Sequence, residues 1–278
     1  MSNHVAGKSI VITGAGSGFG RLVAQKTAAM GALVTCGDID LAAATATAEG
    51  IQAEGGKAIA VASDVTRIAD MRALAAAAVE AHGGIDVMIN NAGIMPLAFF
   101  ADHDAALDAW NRCIDINFRG VMNGIVAVFD QMMAQGRGHV INLSSIYGNH
   151  PVIGGAVYGA TKSAVNFLSE SLRVEGRGRI KVTVVKPTGV PVTGLTATVV
   201  NQAAGVGSLG QNMGGFMEMV TQMQDGSFPP ERLNAANIDY ASLAPDHIAD
   251  AIVHTIDQPW GVSISDITVR AAGDHFII

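Results

Sequence analysis

The most constraining feature of the sequence is a repeated alternation of short β-branched runs and longer alanine-rich stretches, separated by turns that contain glycine or aspartate. The runs predict strands at residues 9–13, 32–36, 58–62, 85–90, 138–143, 181–186 and 263–269. The alanine-rich stretches predict helices at residues 21–30, 41–54, 68–81, 107–134, 156–174 and 245–256. Strands that alternate with helices form parallel sheets through right-handed crossovers. The sequence therefore predicts an α/β fold with a doubly wound parallel sheet of about seven strands.

Composition favours a globular protein and excludes several functional classes. The 278 residues are 49% hydrophobic and 15% charged, which suits one domain spanning residues 1–278. The net charge of −7 argues against a nucleic-acid partner, and no apolar run is long enough to span a membrane or to act as a secretory signal. The eight histidines show no ligand spacing, so no metal centre is predicted. Two cysteines give no disulfide framework, and we expect a cytoplasmic protein.

One long segment, residues 194–244, breaks the alternation before the last predicted helix and strand. It contains four methionines and many glycines. Long loops in compact domains are usually functional or mobile, and flexible thioethers adapt to varied apolar shapes. We interpret the segment as a lid over an apolar substrate pocket, with an ordinary excursion packed on its own domain as the alternative. Residues 214–224 predict a short amphipathic helix with Phe216, Met217 and Val220 on one face.

A glycine-rich turn follows the first predicted strand and opens a helix. It runs from Thr13 to Gly20, and it departs from the G-x-G-x-x-G spacing because Phe19 occupies the last position. Glycines let the backbone approach a pyrophosphate closely, and a helix N-terminus offers unpaired N–H donors and a positive dipole end. The strand before the turn and the helix after it indicate a dinucleotide site.

Two aspartates follow the second and third predicted strands. Asp38 lies 20 residues after Gly18, where a carboxylate can accept hydrogen bonds from both adenosine ribose hydroxyls and repels a 2′-phosphate. This position favours NAD over NADP, although Asp38 could instead cap the helix that begins near Leu41. Asp64 would suit the adenine edge or could simply form a turn.

Tyr158 and Lys162 lie one helical turn apart on the same predicted helix face. A phenol is a poor base at neutral pH unless its anion is stabilised, and a nearby ammonium and an oxidised nicotinamide would both lower its pKa. Ser144 and Ser145 follow the strand 138–143, at the carboxyl end where parallel sheets bind ligands. Residues 90–93, with the sequence Asn-Asn-Ala-Gly, end the preceding strand, and Asn117 lies in the helix that follows.

In order and spacing these motifs resemble the short-chain dehydrogenase/reductase family, from about residue 8 to residue 186. The resemblance implies a Rossmann-type domain with four catalytic residues. Ser145, 13 residues before Tyr158, would hydrogen-bond the substrate oxygen, and Tyr158 would give or take the hydroxyl proton. Lys162 would bind the nicotinamide ribose and lower the pKa of the tyrosine. Asn117 would hold a water that links Lys162 to bulk solvent.

The resemblance also implies contacts with the cofactor and the substrate. Predicted cofactor contacts are Gly14, Ser17, Gly18, Phe19, Gly20, Asp38, Asp64, Val65, Asn91, Ala92, Gly93, Tyr158, Lys162, Pro187, Val190 and Thr193. The family's usual Pro-Gly is replaced by Pro187-Thr188, and we expect Val190 or Thr193 to contact the nicotinamide carboxamide. His150 could line the substrate pocket with Ser145 and Tyr158, or could be a turn residue.

The leading functional hypothesis is reversible hydride transfer between NAD(H) and a secondary alcohol or ketone, which we expect to be an apolar or cyclic small molecule. A redox-neutral lyase or epimerase on the same fold and a non-catalytic NAD-sensing protein are the alternatives. The helices at residues 107–134 and 156–174 usually pair between subunits in the family, so the resemblance implies a homodimer or homotetramer. The C-terminus lacks the family's common Asp-Gly-Gly ending.

Overall fold

The computed structural model describes residues 3–190 and 194–277, and its central feature is one parallel sheet. The strands are β1 Ser9–Thr13, β2 Leu33–Asp38, β3 Lys57–Ala62, β4 Val87–Asn90, β5 Gly138–Leu143, β6 Ile180–Pro187 and β7 Asp266–Val269. The helices are α1 Gly18–Ala29, α2 Leu41–Ala53, α3 Ile68–His82, α4 His103–Ile114, α5 Gly120–Gln135, α6 Ala156–Glu175, α7 Met213–Asp225 and α8 Pro245–Ile256. The seven strands lie in the order β3-β2-β1-β4-β5-β6-β7, so the predicted doubly wound α/β fold is confirmed.

The central strands are buried on both faces, which explains their continuous apolar sequences. Every residue of β1, β4 and β5 is buried. Along β1, Ile10 and Ile12 pack into one core while Val11 packs into the other, as the two-residue period of a strand requires. Helices α1, α2 and α8 cover the first core, and α3, α5 and α6 cover the second.

The strand order reverses between β1 and β4. The chain builds β2 and β3 on one side of β1 and then returns to place β4 on the other side. The loops that leave the carboxyl ends of β1 and β4 therefore diverge, and the crevice between them is where doubly wound sheets bind ligands. The glycine-rich turn and residues 90–93 are these two loops.

The helix expected at residues 107–134 is confirmed, since the backbone is helical from His103 to Gln135, but a π-helical turn at Asp115–Arg119 separates α4 from α5. The backbone N–H of Gly120 bonds the Asp115 carbonyl, five residues earlier, so the helix carries one extra residue at this point. Asn117 lies in this turn and is fully buried. Single π-helical turns of this kind occur often at functional sites, and this one holds a predicted catalytic residue.

The lid-like insertion contains short 3₁₀ turns at Gly194–Thr198, Gln202–Ser208 and Gly210–Asn212, followed by α7. The predicted helix is confirmed, but its predicted apolar face is wrong at one position. Met219 is buried beside Phe216, Phe228 and Ala241, whereas Met217 is 53% exposed. Phe216 and Met219 are three residues apart and share a helix face, which turns Met217 toward solvent.

Within the described ranges, no helix is both long enough and apolar enough to cross a membrane. Cys36 and Cys113 are buried free thiols.

Candidate active site

The glycine-rich turn is packed tightly against the loop that follows β4. Gly14 and Gly18 adopt φ angles of 66° and 52°, which favour glycine. A Cβ atom on Gly14 would lie 2.9 Å from Asn91 Nδ2, and one on Gly20 would lie 2.7 Å from the same atom. Side chains are therefore excluded from the inner side of the turn. Ser17 is exposed and Phe19 is half-buried.

Asn91 and Ala92, two predicted cofactor contacts, hold this turn in place. The Asn91 Nδ2 group donates hydrogen bonds to the carbonyls of Thr13 at 2.9 Å and Gly14 at 3.1 Å. The Thr13 hydroxyl accepts from the backbone N–H groups of Asn91 at 3.1 Å and Ala92 at 3.2 Å. Sequence reasoning missed the role of Thr13, because nothing local marks a strand-end threonine that bridges residues far along the chain.

Asp38 lies over the glycine-rich turn at the end of β2. Its Oδ2 accepts a hydrogen bond from the Gly16 backbone N–H at 2.8 Å, and its Oδ1 accepts from the Asp40 N–H at 3.0 Å. The N-cap of α2 is Asp40, whose carboxylate accepts from the Ala43 N–H at 3.1 Å. The interpretation of Asp38 as the cap of this helix is therefore wrong. Arg21 donates to the Gly16 carbonyl on the same turn.

Asp64 forms a local turn. Its Oδ1 accepts from the Thr66 backbone N–H at 2.9 Å and from the Thr66 hydroxyl at 2.8 Å. Val65 is buried, and a Cβ atom on Gly120 would lie 2.7 Å from its Cγ2. The turn interpretation of Asp64 is confirmed, and contacts of these two residues with a cofactor stay predictions.

Three of the predicted catalytic residues lie together beyond the carboxyl end of β5. Ser145, Tyr158 and Lys162 are all buried, and the Ser145 hydroxyl lies close enough to the Tyr158 phenol to lower the pKa of that phenol. The Lys162 ammonium lies 5.7 Å from the centroid of the Tyr158 ring and donates to the Leu143 carbonyl at 2.7 Å. The Ser144 hydroxyl donates to the Lys162 carbonyl at 3.1 Å, so α6 and the end of β5 hold each other.

The Ser145 hydroxyl also accepts a hydrogen bond from the backbone N–H of Tyr147 at 3.2 Å. A serine hydroxyl has one proton to donate and two lone pairs that accept. Because the Tyr147 N–H fills one lone pair, the serine proton is directed elsewhere. The geometry therefore suits a hydroxyl that donates to a neighbouring oxygen.

Asn117 pairs with the loop after β4 rather than standing free in the cleft. Its Oδ1 accepts from the Ile94 N–H at 2.9 Å, and its Nδ2 donates to the Ile94 carbonyl at 2.8 Å. A Cβ atom on Gly93 would lie 3.2 Å from Asn117 Oδ1 and 3.7 Å from Lys162 Nζ. The structure thus brings Gly93, Asn117 and Lys162 together, and the water expected at Asn117 stays a prediction.

The loop after β6 presents a polar group that sequence reasoning did not select. Thr188 is 2% exposed, its backbone N–H donates to the Val269 carbonyl at 3.1 Å, and among the described residues its Oγ1 has no hydrogen-bond partner. The sequence feature that could have indicated this group is the threonine at position 188, where the family usually has glycine. Val190 packs partly against the first core, and Thr193 lies outside the described residues.

His150 is exposed in the segment between Ser145 and α6. Its place in a substrate pocket stays a prediction. Within residues 3–190 and 194–277, no group of three or more His, Cys, Asp or Glu side chains could hold a metal ion.

The sequence profile of the family described as short chain dehydrogenase matches residues 8–204, which is most of the chain. The chain belongs to the short-chain dehydrogenase/reductase family. It is therefore an oxidoreductase of that family, and the resemblance noted from its motifs is confirmed.

Relatives and solved structures agree with this assignment. A 2,5-dichloro-2,5-cyclohexadiene-1,4-diol dehydrogenase of Sphingobium indicum is 36% identical over 200 residues, covering 72% of this chain and 79% of the relative. A metagenomic short-chain oxidoreductase in complex with NADP is 27% identical with a TM-score of 0.72, covering 96% of this chain and 98% of that one. A Burkholderia phymatum short-chain dehydrogenase/reductase in complex with NAD is 27% identical with a TM-score of 0.74, covering 96% and 90%.

Burial controls the charge of the tyrosine and lysine in this family member. Burial raises the pKa of Tyr158, and the neighbouring Ser145 hydroxyl offsets part of that increase. Burial lowers the pKa of Lys162 from 10.5 to about 8. Both shifts favour the neutral forms of the two side chains.

The lowered pKa of Lys162 predicts a pH-dependent stability difference from the Lys162→Met variant. The wild-type protein carries the full cost of the buried ammonium below pH 8, and this cost disappears as the pH rises toward 10.5. The free energy of unfolding of the wild type should therefore gain about 2 kcal/mol relative to Lys162→Met between pH 7 and pH 10. Urea denaturation at the two pH values measures the difference.

Lys57 is exposed on β3 and supplies the matched control. The Lys57→Met variant should differ from the wild type by the same free energy of unfolding at both pH values. If the free energy of unfolding of Lys162→Met also differed from that of the wild type by the same amount at both pH values, the effect of burial on the pKa of Lys162 would be contradicted.

Proposed function

We propose that this protein is an NAD(H)-dependent alcohol dehydrogenase or ketone reductase that acts reversibly on an apolar or cyclic secondary alcohol or ketone. The observation that carries the proposal is the buried cluster of Ser145, Tyr158 and Lys162, in which a hydroxyl, a phenol and an ammonium adjoin one another. The Sphingobium relative is named as a dehydrogenase of a chlorinated cyclohexadienediol, which supports a cyclic alcohol.

The residues around the crevice fit a nicotinamide dinucleotide. The inner side of the glycine-rich turn has no room for a Cβ atom and stands at the N-terminus of α1, as a pyrophosphate site requires. The unpartnered Thr188 hydroxyl supplies a donor and acceptor for a carboxamide, together with Val190 or Thr193. Asp38 would hold the adenosine ribose, and Lys162 the nicotinamide ribose. When bound, the cofactor supplies or accepts the hydride.

Side chains of the protein then bind the substrate oxygen and transfer its proton. Ser145 donates its one hydroxyl proton to that oxygen while one of its two lone pairs accepts from the Tyr147 N–H. Tyr158 delivers the proton from its phenol in the reducing direction and receives it in the oxidising direction. The Lys162 ammonium stabilises the phenolate across the 5.7 Å that separates it from the ring centroid. The two hydrogen bonds between Asn117 and Ile94 fix the loop after β4, in which Gly93 lies beside Lys162.

An apolar wall beside Tyr158 supports an apolar substrate. Leu97, Cys113 and Ala204 form a buried cluster with Tyr158, and Val199 packs against it. Two of these residues belong to the insertion. We therefore propose that residues 194–244 act as a lid within a single domain spanning residues 1–278. The Thr198 hydroxyl, which accepts from the Met95 N–H at 2.8 Å, supports this role because it ties the insertion to the loop after β4.

The Tyr158→Phe variant tests the reaction. We expect its turnover of secondary alcohols with NAD to fall at least about a hundredfold, because the phenol carries the proton. Absorbance of reduced nicotinamide measures turnover over a panel of cyclic and linear alcohols, and NADH fluorescence checks that the variant still binds cofactor.

Tyr240 is the matched control, since its phenol serves a different contact, accepting from the Ala244 N–H at 3.0 Å. Tyr240→Phe should retain turnover. Reduction by Tyr158→Phe at the wild-type rate would refute the mechanism, and product formation without net NADH consumption would identify the redox-neutral cycle instead.

We propose NAD as the preferred cofactor, because the Asp38 carboxylate at the glycine-rich turn would repel a 2′-phosphate. Replacing Asp38 with alanine removes this charge. We expect the ratio of kcat/KM with NADP to kcat/KM with NAD to rise about tenfold or more, since like-charge contacts cost over 1 kcal/mol.

Asp40→Ala provides the control, because it removes a carboxylate two residues away that caps α2. This variant should lose some stability and keep its cofactor preference. A wild-type preference for NADP, or equal ratios in wild type and Asp38→Ala, would contradict the proposed role of Asp38.

A second copy of the chain is the proposed partner for the outer face of α5 and α6. Phe167 is 78% exposed and Val174 is 64% exposed on α6, and both lie beside Ser171 and Glu175, which line a surface groove together with the exposed Val126 of α5. Contiguous apolar side chains on adjacent helices are typical of subunit interfaces. This face supports a homodimer or homotetramer.

A charged side chain introduced on the outer face of α5 and α6 should dissociate the assembly. We expect Phe167→Glu to have a lower molar mass than the wild type by light scattering after size-exclusion chromatography, because burying the carboxylate without a partner is costly. Ile238→Glu is the control, since Ile238 is 84% exposed on the insertion. A monomeric wild type, or an unchanged mass for Phe167→Glu, would exclude this interface.

A further inference from the structure

Residues 274–277, which follow β7, are hydrogen-bonded to the insertion through their backbone. The Asn212 side-chain amide donates to the His275 carbonyl at 3.1 Å. The Ile277 N–H donates to the Ser208 carbonyl at 3.0 Å. These two bonds hold the segment against the 3₁₀ turns that precede α7.

The side chains of the same segment lie directly on glycines of the insertion. A Cβ atom on Gly210 would collide with Ile277 Cδ1, and one on Gly215 would lie 3.0 Å from His275 Cε1. The His275 ring also packs edge-on against the Phe216 ring of α7, with centroids 6.4 Å apart. The segment and the insertion therefore approach each other more closely than side chains at these glycines would allow.

Phe276 contacts both the insertion and the loop after β6. Its ring lies on Gly189, where an added Cβ atom would collide with the ring edge and lie 2.8 Å from Phe276 Cδ2. The ring centroid is also 6.4 Å from that of Phe216. The preceding residue of the loop, Thr188, donates its N–H to the Val269 carbonyl of β7 at 3.1 Å. Phe276 thus fixes the part of this loop that lies beyond the sheet.

Both backbone polar groups of Phe276 are held by an ion pair. The Asp274 carboxylate accepts from the Phe276 N–H at 3.1 Å, and the Arg270 guanidinium donates to the Phe276 carbonyl at 2.6 Å. Arg270 also donates to Asp274 Oδ1 at 2.7 Å, and the Asp274 side chain is only 5% exposed. Charge-assisted bonds of this kind are stronger than neutral ones, so the position of the ring is well determined.

Covering apolar surface is the alternative role for this segment. A cover requires apolar side chains but no fixed backbone groups. The ion pair that holds the Phe276 backbone and the close approach of the ring to Gly189 are not explained by a cover. They place one aromatic ring against both α7 and the loop after β6.

We propose that Phe276 is a positioning residue that holds the loop after β6 against the insertion and thereby positions the nicotinamide end of the cofactor. The ring lies on Gly189, next to Thr188, whose buried hydroxyl has no partner among the described residues. This inference rests on the proposed dehydrogenase function, because that function assigns Thr188 to the carboxamide.

Hydrogen–deuterium exchange of the protein without cofactor tests the contact. In Phe276→Ala, amides of residues 188–190 and of α7 should exchange at least about threefold faster than in the wild type, because the ring that contacts both is lost. Phe276→Leu, which keeps most of the apolar volume, should restore most of the protection. Exchange in β1 and β4 should stay at the wild-type rate, which a general loss of stability would not allow.

Phe228→Ala is the matched control, since Phe228 is buried in the insertion beside Met219 and Ala241. The cavity that it leaves should increase exchange in α7 and leave exchange at residues 188–190 unchanged. Wild-type exchange at residues 188–190 in Phe276→Ala, or an equal increase there in Phe228→Ala, would overturn the proposal.

Cofactor binding separates this inference from the proposed function. Titration followed by NADH fluorescence should give a Kd about fivefold higher for Phe276→Ala than for the wild type, and an unchanged Kd for Phe228→Ala. Asp274→Ala, which removes the acceptor of the Phe276 N–H, should raise the Kd by a similar factor. A wild-type Kd for Phe276→Ala would overturn the positioning role. No NADH binding by the wild type would instead refute the proposed function, and exchange at residues 188–190 would then still decide whether Phe276 holds the loop.

Discussion

A reciprocal pair of hydrogen bonds between the end of β5 and the second turn of α6 fixes the geometry on which the candidate site depends. The Lys162 ammonium donates to the Leu143 carbonyl, and the Ser144 hydroxyl donates to the Lys162 carbonyl. A buried ammonium is costly without partners, and a charged donor to a carbonyl makes one of the stronger hydrogen bonds in proteins. Because Ser145 follows this junction and Tyr158 precedes Lys162 by one turn, the bonds that satisfy the lysine also set the distance between serine and tyrosine.

Buried side-chain amides also join strands β4 and β5 to helix α6. Asn90 Nδ2 donates to Asn142 Oδ1 at 2.8 Å, and Asn142 Nδ2 donates to the Ser169 hydroxyl at 2.9 Å. Strands β4 and β5 and helix α6 are thereby held in register by polar contacts that tolerate little displacement. Apolar packing alone would allow these elements to slide, so this chain of polar contacts supports the positional accuracy that the proposed proton transfer needs.

The sequence correctly predicted those elements whose bounds are set by neighbouring residues. The bounds of β1 and α8 follow from an apolar run that ends at Gly14 and from the proline that opens the helix at Pro245. The π-helical turn at Asn117 was missed because the apolar period continues through it, and only the pairing of Asn117 with Ile94 marks the site. The contacts of Thr13 with Asn91 and Ala92 depend on a loop distant in sequence, so no spacing rule could have revealed them.

Desolvation acts on Tyr158 and Lys162 in opposite directions, and this constrains when the site can be charged. Burial raises the pKa of the phenol and lowers that of the ammonium, so the protein alone disfavours a phenolate–ammonium pair. A phenolate becomes accessible only when further positive charge or hydrogen-bond donors adjoin it. Before a substrate binds, the Ser145 hydroxyl can supply one such donor, and one of its lone pairs accepts from the Tyr147 N–H. The proposed proton transfer by Tyr158 therefore requires that the crevice be filled and its hydroxyls aligned.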